Sequence, residues 1–189
     1  MNVKARHSSF LRPERFVSGT RRREGKTMSQ VEIKRVVGLE GFANSGKSNL
    51  LRSLVKRLLS AGWKIVSVYD VYGRVLSKSV LNTNKDCIVV LQKGSRIIVV
   101  VLMGDYENIV NRVKKIIQTK VKCEVFVLFV AMRYKNPSVG DAYRAEFGSR
   151  MVAIFKPPYR KWKDLPCKED ITEFWLKRIE EEGFGRVRV

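Results

Sequence analysis

Hydrophobic residues along this chain fall into two patterns, short unbroken runs and spaced stripes, and each predicts a different element. Apolar runs of strand length occur at Arg35–Glu40, Lys64–Asp70, Cys87–Gln92, Arg96–Met103, Cys123–Met132 and Arg150–Phe155. Stripes of helical period lie between them. Ser48–Ser60 carries Leu50, Leu51, Leu54, Val55, Leu58 and Leu59 on one wide face. Tyr106–Thr119 carries Ile109, Val110, Val113, Ile116 and Ile117, and Asp170–Glu182 carries Ile171, Phe174, Trp175 and Ile179. Gly62 falls where a helix C-cap belongs, and Gly183 is expected to stop the last helix. Lys93-Gly94-Ser95 separates two runs at hairpin spacing, which predicts an antiparallel pair turning at Gly94. Val71–Asp86 reads as a mostly polar loop with room for one helical turn.

Strands apolar on both faces, alternating with amphipathic helices, indicate a mostly parallel sheet covered on both sides. The expected fold is therefore a three-layer α/β domain over residues 31–189, with Cys87–Gln92 as its antiparallel member. At 189 residues and 44% hydrophobic, the chain has enough apolar mass for one packed domain plus a tail. The longest apolar runs fall far short of the ~20 residues that a membrane-spanning helix needs. Met1–Phe10 lacks the apolar core of a secretory signal, so a soluble, cytoplasmic protein without membrane contact is expected.

Charge changes the picture most. Lys and Arg number 38 against 18 Asp and Glu, a net +20. Residues 1–30 hold eight basic residues, among them Arg21, Arg22 and Arg23, against Glu14 and Glu24, a balance of +6 that leaves +14 for the rest. Their few apolar residues keep no period. They read either as a basic arm for nucleic acid or as a dispensable extension ahead of Met28.

The residue inventory excludes several chemistries. His7, in the tail, is the only histidine, which leaves a Ser-His-Asp or Cys-His nucleophile pair badly placed. Cys87, Cys123 and Cys167 are odd in number and widely spaced, so neither a zinc knuckle nor a disulfide framework is indicated. Cys87 and Cys123 each open an apolar run, which predicts buried structural thiols. What remains is chemistry by Lys, Arg, hydroxyls and carboxylates with a bound cofactor or metal.

Gly41-Phe-Ala-Asn44-Ser45-Gly46-Lys47-Ser48 fits G-x-x-x-x-G-K-[ST], set between a strand-like run and the strongest helix of the chain. In such a loop Gly41 and Gly46 permit backbone angles that let successive N–H groups, including those of Asn44, Ser45 and Asn49, curl around an anion. The helix start presents its positive dipole end to the same charge. Lys47 supplies a mobile cation for the outer phosphates, and the Ser48 hydroxyl suits Mg²⁺. The segment resembles the Walker A site of the P-loop NTPase superfamily. That resemblance implies ATP or GTP binding with Mg²⁺, and hydrolysis or transfer of the terminal phosphate.

P-loop enzymes also use a carboxylate at the end of an apolar strand to hold the metal. Asp105, after Ile97–Gly104, is the leading candidate, with an N-cap role for the following helix as its plain alternative. Asp70 is the runner-up, for the metal or as the base of a kinase, and Glu40 reads as structural. Arg133, at the end of the Cys123–Met132 run, is placed either to stabilise charge on a phosphate in transfer or to sit at the surface. No Asn-Lys-x-Asp string follows a later strand, so ATP is expected rather than GTP.

Lys156-Pro-Pro-Tyr-Arg160-Lys161-Trp162-Lys163 mixes cations with aromatics, a composition suited to phosphates and stacked bases and equally to a solvated loop. Three functions are compatible with these features. They are an ATPase acting with nucleic acid, a small-molecule kinase using Asp70 as base, and a nucleotide-binding regulatory module with little turnover. The net charge favours the first. Tyr106 stands where a water-polarising Glu would follow Asp105, and Arg144, Arg150 or Arg160 could be lent in trans within a homo-oligomer.

Overall fold

The computed structural model describes residues 31–83, 85–104, 108–133, 137–155 and 168–185. Within them lie six strands: β1 (Val36–Gly41), β2 (Lys64–Tyr69), β3 (Ile88–Lys93), β4 (Arg96–Val101), β5 (Val125–Arg133) and β6 (Met151–Phe155). Four α-helices accompany them: α1 (Lys47–Ser60), α2 (Ile109–Ile116), α3 (Pro137–Phe147) and α4 (Lys168–Phe184). The strands form one sheet in the order β2-β3-β4-β5-β1-β6. β1 runs parallel to both neighbours and β4 parallel to β5, while β3 runs against both β2 and β4. The mostly parallel sheet, with Cys87–Gln92 reversed and Gly94 (φ 58°) at the hairpin turn, matches the expectation.

Side chains alternate across the sheet with strand period, and each face packs its own helices. Val36, Val99, Val101, Leu128, Val130 and Met132 meet α2 and α3 through Ile109, Val113, Val139, Tyr143 and Phe147. Val37, Leu39, Ile98, Val100, Val127 and Phe129 meet α1 and α4 through Leu50, Leu54, Leu58, Trp175 and Ile179. The buried leucines of α1 contribute about 1.5–3 kcal/mol each by leaving water. The helix distribution follows from chain direction. The β4-α2-β5 and β5-α3-β6 connections move one way along the sheet and β1-α1-β2 moves the other. Right-handed crossovers therefore place α1 on the opposite face.

Several elements depart from the sequence reading. α2 starts at Ile109, with Asn108 at its N-cap position, and winds on into a π-helical turn at Ile117–Val121. The 71–86 loop holds its helical turn at Lys78–Asn82. Gly62 (φ 87°) does close α1, its N–H and that of Trp63 donating to the Leu59 and Leu58 carbonyls. Gly183 does not stop α4, which runs on to Phe184; Gly185 (φ 83°) follows its end instead. Gly183 lies where a Cβ would stand 2.6 Å from the Phe129 ring, so its smallness lets α4 approach the sheet. α3 was not predicted. It buries Val139, Tyr143 and Phe147, an i, i+4, i+8 stripe too narrow to stand out in the sequence. Cys87 is buried as expected, whereas Cys123 is exposed, because β5 starts two residues later at Val125.

No described helix is long and apolar enough to cross a membrane. The basic tail, Arg21, Arg22 and Arg23 included, lies outside the described residues, as do Asp105, Arg160, Lys161 and Lys163.

Candidate functional site

In an open parallel sheet, ligands gather at the strand carboxyl ends where neighbouring strands send their helices to opposite faces. Here that point lies between β1, which leads into α1 on one face, and β5, which leads into α3 on the other. The 41–48 loop occupies it. Gly41 ends β1 directly across from Arg133, the exposed last residue of β5.

The loop's turns are made at two residues. Asn44 (φ 57°) and Gly46 (φ 80°) are left-handed, while Gly41 belongs to the extended strand, so the special backbone angles expected of Gly41 fall on Asn44. Asn tolerates that region better than most residues with a side chain. The turn is closed by the Ser45 N–H donating to the Phe42 carbonyl at 3.3 Å, and α1 begins with the Leu50 N–H donating to Gly46 at 2.9 Å. Alternating backbone hands of this kind turn consecutive N–H groups inward. The first turn of α1 carries no acidic side chain to offset its positive end.

Lys47 and Ser45 are buried, at 8% and 2% exposure. The Lys47 ammonium donates to the carbonyls of Gly41 (2.9 Å) and Phe42 (2.6 Å) and reaches the Ser45 hydroxyl at 3.5 Å. A cation is thus held inside the loop by groups that a phosphate oxygen can replace. Ser48 is half-buried, and Asn44 and Asn49 are exposed at the rim.

These residues line a cleft of about 340 Å³ formed by residues 43–49 with Arg52, Asp86, Gly104 and Ala131. Gly104 is required there, because a Cβ would stand 2.6 Å from the Ala131 carbonyl oxygen. Asp86 and Arg52 were not singled out in the sequence. Asp86 precedes the antiparallel strand, whose amino end lies beside the carboxyl ends of its neighbours, and the usual search for site carboxylates looks only at strand ends. Arg52 sits one helical turn beyond Ser48, on a helix whose apolar stripe drew the attention.

Asp70 is not brought to this cleft. β2 lies four strands from β1, about 19 Å at ordinary strand spacing. One Asp70 carboxylate oxygen accepts from the N–H groups of Tyr72 and Arg74, both at 2.9 Å, and the other from the Arg74 guanidinium. Burial pushes this carboxyl upward, but the Arg74 N–H and guanidinium and the Tyr72 N–H together hold it below the usual range. Glu40 is structural as expected, paired with Arg144 of α3 at 2.5 Å. Arg144 also bonds Asp141 at 3.1 Å, and Arg150 donates to the Ile33 carbonyl at 3.2 Å. Of the three arginines considered for lending in trans, Arg144 and Arg150 are thus engaged within their own chain, and Arg160 lies outside the described residues. A larger cavity of about 990 Å³, lined by Trp63, Phe184 and the β3–β4 turn, opens at the other end of the sheet.

No protein-family model matches the chain, and no curated protein or solved structure matches it either.

Proposed function

We propose that the chain is a Mg²⁺-dependent ATP-binding protein of the P-loop kind that hydrolyses ATP in concert with nucleic acid. The observation that carries the reading is the 41–48 loop at the sheet's switch point, with Asn44 and Gly46 left-handed and Lys47 held inside the turn. The donor set fits the group: main-chain N–H groups and an ammonium for phosphate, and a helix-start hydroxyl with a cleft carboxylate for a hard cation. A bound Mg²⁺ supplies charge neutralisation at the phosphate tail. The loop amides would orient that tail, Lys47 would give up its carbonyl partners to hold phosphate oxygens, and the Ser48 hydroxyl would help hold the cation. Arg133, across from Gly41, would meet charge that develops in transfer, and Asp105, outside the described residues, is proposed as a metal carboxylate.

Two features support a polynucleotide partner. One is the net charge of +20. The other is an exposed cluster after β2, at the same end of the sheet as the loop. There Tyr72, 69% exposed, has the guanidinium carbons of Arg74 and Arg112 at 5.4 and 5.0 Å from its ring centroid. The position and bonding of Asp70 give no support to its use as a kinase base.

Phosphate release from ATP, with Mg²⁺ and with or without single- and double-stranded DNA and RNA, tests the proposal. Stimulation by a polynucleotide that fades steeply with salt, and is reduced in Tyr72→Ala, is the expected result. Transfer of the phosphate to an added nucleoside, with no effect of any polynucleotide, would contradict it.

A further inference from the structure

The amino end of β3 delivers a carboxylate to the loop cleft under unusual restraint. Asp86 lies between two main-chain carbonyls that are both tied down. The Lys85 carbonyl accepts from Arg52 Nη2, and the Cys87 carbonyl accepts from the Leu102 N–H at 2.9 Å. The first tie fixes residue 85 to α1, the helix that carries Lys47 and Ser48. The second continues the β3–β4 ladder past Ile88 and Val101. Residue 86 is therefore braced between the loop's own helix and the end of β4, and it lines the cleft with Ser48 and Gly104.

Arg52 gives the second, independent observation. It is only 8% exposed, it lines the same cleft, and its Nε has no hydrogen-bond partner. A buried guanidinium with an unused donor is costly unless a charged group compensates it. One that also borders a phosphate-type loop points to an anionic or metal-bridged ligand there.

We infer that Asp86 is a carboxylate that would help hold Mg²⁺ in the nucleotide cleft it lines together with Ser48, with Arg52 as the residue that positions it. The inference rests on the nucleotide reading above. It adds a ligand that arrives from the amino end of the antiparallel strand. The chemistry is that of a hard cation shared between protein oxygens and phosphate oxygens, to which a carboxylate, a hydroxyl and the nucleotide each contribute. Arg52, through its bond to the Lys85 carbonyl, keeps the 85–87 segment against α1.

The test is equilibrium binding of ATP, by calorimetry, in Mg²⁺ and in excess EDTA, on the wild type, Asp86→Asn, Arg52→Met, Arg52→Lys and Lys47→Ala. Circular dichroism checks that each variant is folded. Asp86→Asn should lower the Mg²⁺-dependent gain in affinity by about tenfold or more, with affinity in EDTA equal to or above wild type because a negative charge near the phosphates is gone. Arg52→Met should lose part of the same gain and Arg52→Lys should retain it. A wild-type Mg²⁺ gain in Asp86→Asn overturns the inference alone. A wild type without affinity for ATP under either condition overturns the nucleotide reading first, and the inference with it.

Discussion

Tyr143 places a polar atom without a hydrogen-bond partner in the core. Its ring is fully buried beside Phe147, with centroids 6.0 Å apart, and its hydroxyl makes no hydrogen bond. Burial accordingly pushes the phenol well above its ordinary range. Removing only the oxygen deletes an unmet desolvation cost, so Tyr143→Phe should leave stability unchanged or raise it by about 1 kcal/mol. Tyr143→Ala should cost about 3–5 kcal/mol through the cavity it leaves. Urea unfolding of the two variants measures both, and a Phe variant clearly less stable than wild type would contradict the assignment. The thiols give a second contrast. Cys87 is buried, and burial first, then Arg52 and Asp86 acting in opposite senses, brings its pKa to about 11. Cys123 is exposed. An alkylating reagent at pH 8 should therefore label Cys123 promptly and leave Cys87 untouched until the protein unfolds, as peptide mass mapping would show. The apolar runs that follow both cysteines made them look alike. The difference arises because β3 is paired from its first residue, whereas β5 starts two residues after Cys123, at Val125. Asp86 was hidden for a related reason. A sequence shows that a residue precedes a strand, but not that the strand is reversed and so opens at the loop's end of the sheet.

At the scale of elements, strong periodicity made most of the architecture legible. Five leucines and a valine on one face of thirteen residues can only be a core-facing helix, and the hairpin at Gly94 is fixed by its spacing. α3 escaped because Gly140 and the charges Asp141, Arg144 and Glu146 dilute its short stripe, and it is fixed by tertiary contact rather than propensity. α4 ran past Gly183 because close packing on Phe129 outweighs the ~1 kcal/mol that glycine costs inside a helix. Glycines at close approaches supply a further test. A Cβ at Gly38 would meet the flexible ends of the Met132 and Met151 side chains, which can swing aside. A Cβ at Gly104 would meet the Ala131 main chain, which cannot. Gly104→Ala should therefore destabilise by about 1–3 kcal/mol more than Gly38→Ala, and only the former should also weaken ATP binding. Thermal melts with and without Mg-ATP separate the two effects. Equal losses at both positions would contradict this account of the β4 end.

At the scale of the whole molecule, the loop cleft lies at one end of the sheet in a chain of net charge +20. Carboxyl ends of β1, β4 and β5 and the amino end of β3 converge on the loop cleft, so motif, crossover rule and cleft chemistry select the same place. That agreement is what gives an eight-residue motif its weight here. The candidate site's first half was legible because the 41–48 loop is contiguous in sequence. Its second half was not, because Arg52, Asp86 and Gly104 meet only after two strands have paired. The most direct measurement is calorimetric titration of ATP with Mg²⁺ into the wild type and Lys47→Ala. The account predicts saturable one-to-one binding by the wild type and at least tenfold weaker binding by a folded Lys47→Ala variant. Equal heats for the two proteins, or none for either, would contradict it.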